Sequence, residues 1–253
     1  MIERNLLVHK LDELLPQQEV PDDPSNNGLQ VEGAPKVERA VFGVDACLAL
    51  FEKAIELGSS FIFVHHGLSW GGGISYFTGV EGRRLKTLLA NDVSLYASHL
   101  PLDMHPELGH NAVLARRLGI ESPSPFFEYE GVRIGCGGPL PEPTNARRLR
   151  DRLNSELHTQ CTLIGEPDRR IRDIAIVSGL GADAVRKCAG AGYDCLLTGE
   201  MRHSEYHTAR ELGLCVIAAG HYRTEIPGVR AVMEWVREEL DLECEFVDLP
   251  TNF

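Results

Sequence analysis

Three things are scarce or missing in this chain, and each removes a class of function. Its seven cysteines (Cys47, Cys136, Cys161, Cys188, Cys195, Cys215 and Cys244) include no Cys-x-x-Cys pair. An odd, dispersed set of this kind is not a disulfide framework. It fits a reducing cytoplasm, with the thiols serving as small apolar residues rather than nucleophiles. No apolar run approaches the ~20 residues that span a bilayer, and the N-terminus lacks the apolar core of a signal peptide. A cytoplasmic protein without a membrane partner is therefore expected. Positive charge is short as well: 25 Lys and Arg face 37 Asp and Glu, for a net charge of −12. General binding of duplex nucleic acid needs a basic footprint and is disfavoured. One more absence matters locally. His203 and His207 have the i, i+4 spacing of a metal-binding helix, with Glu200 just before, but Ser204 stands where a zincin carries glutamate. That excludes a zincin metalloprotease.

What remains is ordinary globular material, 43 % apolar and 25 % charged over 253 residues, enough for one large α/β unit or two lobes. The stretch Phe61-Ile-Phe-Val-His65-His66-Gly67 organises it. Four apolar residues read as a buried strand, and two histidines sit where it runs out. Ligands of open α/β sheets collect at the carboxyl ends of strands, and imidazole is the commonest side-chain metal ligand. Neighbours on an extended segment point to opposite sides, so the pair is expected to serve two ions, or an ion and a substrate.

The pattern occurs twice. In the first copy a strand at Ala40–Val44, a helix near Cys47–Leu57 and the strand Phe61–Val64 lead to His65-His66. A helix at Arg84–Ala90 and a strand at Ser94–Ala97 then lead to His99-Leu-Pro-Leu-Asp103. In the second, Ile174–Ser178, a helix near Ala182–Ala189 and Asp194–Thr198 lead to Gly199-Glu200. Ser204–Leu212 and Leu214–Ala219 then lead to His221-Tyr-Arg-Thr-Glu225. Both copies close on His-x-x-x-carboxylate. His66 and Asp103 lie 37 positions apart and Glu200 and Glu225 lie 25 apart; the Gly-rich insertion around Gly67–Gly79 accounts for the difference. An internal repeat places equivalent strand ends equivalently. It is expected to bring His65, His66, Asp103, His221 and Glu225 towards one crevice between two lobes. Three imidazoles and two carboxylates suit a pair of divalent transition metals.

The rest of the chain supplies context. Leu7, Leu11, Leu14 and Leu15 form the apolar face of an N-terminal helix ending near Pro16, with His9 opposite and solvated. Residues 21–33 are dense in turn formers and read as a surface loop, with a short strand at Gly28–Val31. Trp70, in the insertion, either grips a substrate ring or sits in an inert connection. His105 and His110 stand at a helix entrance, as caps or pocket residues. Ser122-Pro-Ser-Pro125 marks the lobe boundary, giving lobes 1–122 and 123–253, with the C-terminal helix and strand able to pack back on the first. A strand at Val132–Cys136 precedes a rigid turn at Gly137–Pro143 and a helix with Ala146, Leu149, Leu153 and Leu157 on its buried face. Gly179 and Gly181, between a strand and a helix, offer backbone N–H groups to a phosphate or serve a tight turn. A final helix is expected over Gly228–Leu240.

These motifs resemble one family. Gly28-Leu-Gln-Val-Glu-Gly33, Val64-His65-His66-Gly67, His99-Leu-Pro-Leu-Asp103-Met-His105-Pro-Glu-Leu-Gly109, Thr198-Gly-Glu200 and Ala219-Gly-His221-Tyr-Arg-Thr-Glu225 are similar to the NIF-three-like dinuclear-metal proteins. Bacterial members carry the label GTP cyclohydrolase I type 2 homologue. The resemblance spans nearly the whole chain. It implies two similar α/β lobes, a toroidal homohexamer and a two-metal site facing its central cavity. By position, the metal ligands fall on His65, His66, Asp103, His221 and Glu225, with His207 and Glu200 near the pocket. Pro24-Ser25-Asn26 replaces the family's usual Trp-Asp-Asn, and His110 replaces an asparagine; both departures bear on substrate rather than metal.

The expected function is a hydrolase with two divalent ions per chain (Fe, Mn, Zn or Co). Glu225 would bridge the ions, and metal-activated water would open a purine ring or cleave a phosphoester of a nucleotide-like substrate. His99 or Glu200 would shuttle the proton; His207, Gly179, Gly181 and Trp70 are candidates for the substrate pocket. The competing class is a non-enzymatic metal-binding ring acting as scaffold, metal handler or regulator. Turnover by metal-reconstituted protein separates the two.

Overall fold

The computed structural model describes residues 1–251. In chain order its elements are β1 (Ile2–Glu3), α1 (Arg4–Leu14), β2 (Gly28–Val31), β3 (Lys36–Val37), β4 (Arg39–Asp45), α2 (Leu48–Glu56), β5 (Phe61–His66), α3 (Gly79–Ala90), β6 (Ser94–Ala97), α4 (Leu100–Asp103) and α5 (His110–Arg117). They continue with β7 (Ser124–Tyr129), β8 (Val132–Asn145), α6 (Ala146–Leu157), β9 (Thr162–Ile164), β10 (Arg170–Val177), α7 (Val185–Gly190), β11 (Cys195–Thr198), α8 (Glu205–Glu211), β12 (Cys215–Ala218), α9 (His221–Leu240) and β13 (Glu243–Phe246). The fold is mixed α/β. Two compact units emerge: Met1–Leu102 with Val229–Leu249, and Asp103–Gly228 with Pro250 onward.

The first unit is built on a five-stranded sheet in the order β13-β4-β5-β6-β2. The first four strands run parallel and β2 is antiparallel to β6. Strands covered on both faces read as continuous apolar runs rather than alternations, which is why Ala40–Val44 and Phe61–Val64 are so uniformly apolar and buried. Val41, Ile62, Val64 and Leu95 face α2 and α3 through Leu50, Phe51, Ala54 and Leu88. The helix lies so close that a methyl group on Gly43 would stand 2.8 Å from a Leu50 methyl. The neighbouring positions carry the rings of Phe42, Phe63 and Tyr96, with centroids 5.4 and 5.8 Å apart along the row. Leu7, Leu11 and Leu15 of the N-terminal helix region are fully buried. Each such side chain contributes ~1.5–3 kcal/mol.

The second unit has a six-stranded sheet in the order β7-β8-β10-β11-β12-β9. Strands β10, β11 and β12 are parallel, flanked by antiparallel β8 and β9. Successive side chains alternate between faces. Ile174, Ile176, Leu197 and Ile217 pack with Leu149, Leu153 and Leu157 of α6 and Leu114 of α5. Ala175, Val177, Leu196 and Val216 pack with Val185, Cys188 and Ala209 of α7 and α8. Asn145 caps α6 by accepting from the Arg148 N–H at 2.8 Å.

Two expectations about this unit are corrected. The stretch Gly137–Pro143 is not a turn; β8 runs through it to Asn145. Its pairing with β10 is irregular between Pro139 and Thr144, so Pro141 and Pro143 interrupt no ladder bond. β7 pairs no further than Gly137, leaving an edge on which proline is tolerated. The final helix starts at His221, not Gly228, and contains Pro227. Pro227 has no N–H, and the next N–H, of Gly228, donates instead to His110 Nδ1 at 3.1 Å. A side chain thus takes the place of one helical bond where proline has already removed another. All seven cysteines are free thiols, and burial pushes Cys136, Cys188 and Cys244 up to about 12. Among the described residues no helix is long and apolar enough to cross a membrane.

Candidate metal centre

In the first unit the carboxyl ends of β4, β5 and β6 gather three histidines. His65 and His66 end β5, and His99 follows β6. Their ligand atoms all lie within 4.8 Å of one another. The expected divergence of the adjacent pair does not occur: the His65 and His66 ring centroids are 4.5 Å apart. His66 is the last residue of the strand, where the pleat no longer fixes its side. It is the Nδ1 partners that orient the rings. His65 Nδ1 lies 2.9 Å from the Ser98 carbonyl, His66 Nδ1 2.8 Å from Asp45 Oδ1, and His99 Nδ1 2.8 Å from Asp23 Oδ1. Each partner accepts, so each Nδ1 carries the proton and Nε2 carries the lone pair. An oxygen acceptor behind the ring in this way fixes its tautomer and orientation for a metal.

Asp23 is the best-anchored of these partners, with a side chain only 2 % exposed. It also accepts from the backbone N–H of Ser25 and Leu100 and from the Asn27 amide, at 2.7–2.9 Å. Burial alone would raise its pKa, but the bonds from His99, Asn27 and Ser25 outweigh it and hold the carboxyl below its usual range. Asp45 is in register with His66 across β4 and β5.

The second unit carries the acidic part of the candidate set. Asp103, buried at the end of α4, accepts from Ser178 Oγ at 3.3 Å. Ser178 N–H donates to Asn111 Oδ1 at 2.8 Å, and Asn111 reaches the Ile134 carbonyl. His221 and Glu225 occupy the first turns of α9, one turn apart, with His221 Nε2 3.0 Å from Glu225 Oε1 and Nδ1 2.6 Å from Glu200 Oε1. Burial opposes a charge on His221, but the two carboxylates outweigh it and lift the imidazole to about 9. Glu200 thus holds His221 in the way Asp45 holds His66.

Gly179 and Gly181 lie beside this cluster. Their N–H groups donate to Thr224 Oγ1 and Thr198 Oγ1 at 3.1 and 3.0 Å. Gly179 has φ +60, and a methyl group there would overlap Glu225 Oε1 and stand 3.1 Å from His221 Nε2. His110 is fully buried and has a ligand atom within 4.8 Å of one on Asp103. Because its Nδ1 accepts from Gly228, a neutral His110 carries its proton on Nε2, the reverse of His65, His66 and His99. His105 is a cap, its Nδ1 accepting from the N–H groups of Glu107 and Leu108.

The remaining candidates separate. Trp70 stands beside the histidines, its ring centroid 5.2 Å from His99 and 6.1 Å from His66. His203 lies ahead of α8 and His207 on it, both exposed; His207 packs edge-on against Tyr206. Neither falls in any of the donor groups among the described residues. Reading the sequence alone missed Asp23, Asp45, Asn111 and the Ser98 carbonyl. Asp45 carried a signal, since it ends a strand next to the one that ends in His66. Asp23 carried none beyond its turn-rich surroundings. The donor chemistry, imidazole with carboxylate, fits a divalent transition ion.

Residues 2–252 match the family model for Duf34/NIF3 (NGG1p interacting factor 3). The chain is 43 % identical over 252 residues to a protein of Pyrococcus abyssi named GTP cyclohydrolase 1 type 2 homolog, covering 99 % of this chain and all of that one. It is 41 % identical to an Escherichia coli protein of the same name, covering 90 % and 91 %. Among solved structures, TTHA1606 from Thermus thermophilus superposes with a TM-score of 0.90 at 39 % identity over the full length of both chains. Reduced HcgD from Methanocaldococcus jannaschii does so with a TM-score of 0.84 at 28 % identity over 98 % of each.

Proposed function

The chain belongs to the Duf34/NIF3 family, and from that premise we propose that it is a dinuclear-metal hydrolase acting on a nucleotide-like substrate. One observation carries the reading. His65, His66 and His99 each have Nδ1 against an oxygen acceptor, which leaves Nε2 as the donor nitrogen of each neutral ring, and His221 has Nδ1 against Glu200 in the same way. Three imidazoles prepared alike, with a fourth held the same way at Nδ1, are hard to explain as loop packing.

In this reading His65, His66, Asp103, His221 and Glu225 would hold two divalent transition ions, with Glu225 serving both. His99 joins the donors rather than acting only as a proton carrier. When bound, such ions polarise the substrate and lower the pKa of water towards ~7. The protein's own part is orientation and proton handling. Asp45, Asp23 and Glu200 lock the imidazoles. Glu200, with a side chain 35 % exposed, is the carboxylate placed to hold and release a proton at the solvent side of His221. The relatives' name supports a nucleotide as substrate, with ring opening or phosphoester hydrolysis as the reaction.

The same reading takes the chain as two α/β lobes related by an internal repeat, 1–122 and 123–253, with the C-terminal helix and strand returning to the first. Each sheet has a run of parallel strands with an antiparallel edge, and each candidate carboxylate follows a histidine at four positions. The family resemblance adds a toroidal homohexamer, and the composition a cytoplasmic location. The test is elemental analysis of purified protein, followed by a hydrolysis screen on nucleotides with each metal restored. Bound metal with turnover supports the proposal; metal without turnover on any nucleotide moves the protein to the scaffold class.

A further inference from the structure

We propose that Trp70 is a stacking platform for the planar heteroaromatic ring of the substrate, beside the His66 and His99 donors. This rests on the hydrolase reading for what happens to the ring afterwards, but not for the binding itself.

The segment that carries Trp70 is built, not slack. Gln30 Oε1 accepts from the N–H groups of Leu68 and Ser69 at 2.7 and 3.1 Å, while its Nε2 donates to the Asn26 carbonyl at 2.7 Å. Trp70 pairs with Ser25 in an isolated antiparallel bridge, and Gly71 N–H donates to the Pro24 carbonyl at 2.7 Å. The indole Nε1 donates to the Gly67 carbonyl at 2.9 Å. The ring is therefore fixed in orientation and its one polar group is satisfied inside the chain. What it has left to offer a ligand is its π-face.

That face is kept available. Trp70 is 37 % exposed, although an indole has more apolar area to bury than any other side chain. After it come Gly71, Gly72 and Gly73. A methyl group on Gly71 or Gly72 would meet nothing within 4 Å, and Gly72 does not have the positive φ of its neighbours. Packing therefore leaves open space at the two residues that follow the indole in the chain. The indole and His99 rings stand nearly perpendicular, at 71° with their centroids 5.2 Å apart. A flat ring laid on the indole is thereby held next to the histidine donors, its identity read by shape and π-surface rather than by hydrogen bonds. Stacking of this kind accepts any base-sized heteroaromatic and gives nothing to a sugar phosphate.

The experiment uses full-length, metal-analysed protein with guanosine, adenosine and ribose 5-phosphate as probes in equilibrium dialysis. Both nucleosides should be retained and ribose 5-phosphate should not. Trp70→Ala should weaken guanosine binding about tenfold or more, and Trp70→Phe by less, with metal content unchanged in both. In Trp235→Phe, which leaves Trp70 as the sole indole, guanosine should quench the fluorescence. Undiminished guanosine binding by Trp70→Ala, no quenching, no nucleoside retention, or equal retention of ribose 5-phosphate would overturn the platform. The two readings fail separately. Trp70-dependent guanosine binding by protein that takes up no metal would leave the platform standing and remove the hydrolase. Nucleotide hydrolysis by Trp70→Ala with unchanged KM would do the reverse.

Discussion

Gly179→Ala should abolish metal binding while leaving the protein folded. Gly179 has φ +60, and the methyl group would overlap Glu225 Oε1 and crowd His221 Nε2. Two effects have to be separated. A non-glycine residue in the left-handed region costs ~1–2 kcal/mol, offset by ~0.4–1 kcal/mol from the stiffer unfolded chain. The backbone contribution to stability is therefore on the order of 1 kcal/mol, or about 2–4 °C in Tm for a chain of this size. Gly192 isolates it: φ is +82 and an added methyl group meets nothing within 4 Å. Calorimetry with excess chelator should give Gly192→Ala this small loss and Gly179→Ala a somewhat larger one. Elemental analysis after reconstitution should find wild-type metal in Gly192→Ala and none in Gly179→Ala. Wild-type metal content and affinity in Gly179→Ala would refute the assignment of that pair as ligands.

Other outcomes follow from the same structure. Asp23→Ala leaves the His99 ring and three further donors without their buried acceptor, and should cost about 3–5 kcal/mol, read by denaturant unfolding. His203→Ala should leave metal content unchanged, since that side chain is exposed and outside the donor groups; loss of an ion would move the site to α8. At pH 8, Cys136, Cys188 and Cys244 should resist thiol reagents in the native protein, because a thiol at about 12 is ionised in only about one molecule in ten thousand. Rapid labelling of any of them would show that its surroundings open. Chelated protein should keep its circular dichroism and lose hydrolysis, because the apolar clusters around Phe51 and Leu153 need no metal; unfolding on chelation would favour a structural role for the ions.

The parallel core strands were legible in the sequence because strands buried on both faces leave unbroken apolar runs, and β2 because it leaves a turn-rich loop. The helix α6 was equally clear, its Ala146, Leu149, Leu153 and Leu157 all buried. What failed were the places where proline and glycine are rescued by neighbours. The prolines of β8 sit on an edge that β7 does not reach, and Pro227 sits in a helix whose next N–H is taken by His110, 118 positions away. Such partners are set by the fold and leave no local trace. The candidate ligands were legible because histidine and carboxylate at strand ends are chemically conspicuous. Their supports were not: Asp23 lies among turn formers that ordinarily mark a solvated loop, yet it is one of the least exposed carboxylates in the protein.

The measurement that bears most directly on the proposed centre is metal stoichiometry in wild type and Glu225→Gln, by elemental analysis of protein loaded with Fe, Mn, Zn or Co and freed of excess. The proposal requires about two ions per chain in wild type and loss of both together in Glu225→Gln, because one carboxylate is taken to serve both. Two full-occupancy ions in Glu225→Gln, or no transition ion in wild type under any of the four loadings, would contradict it.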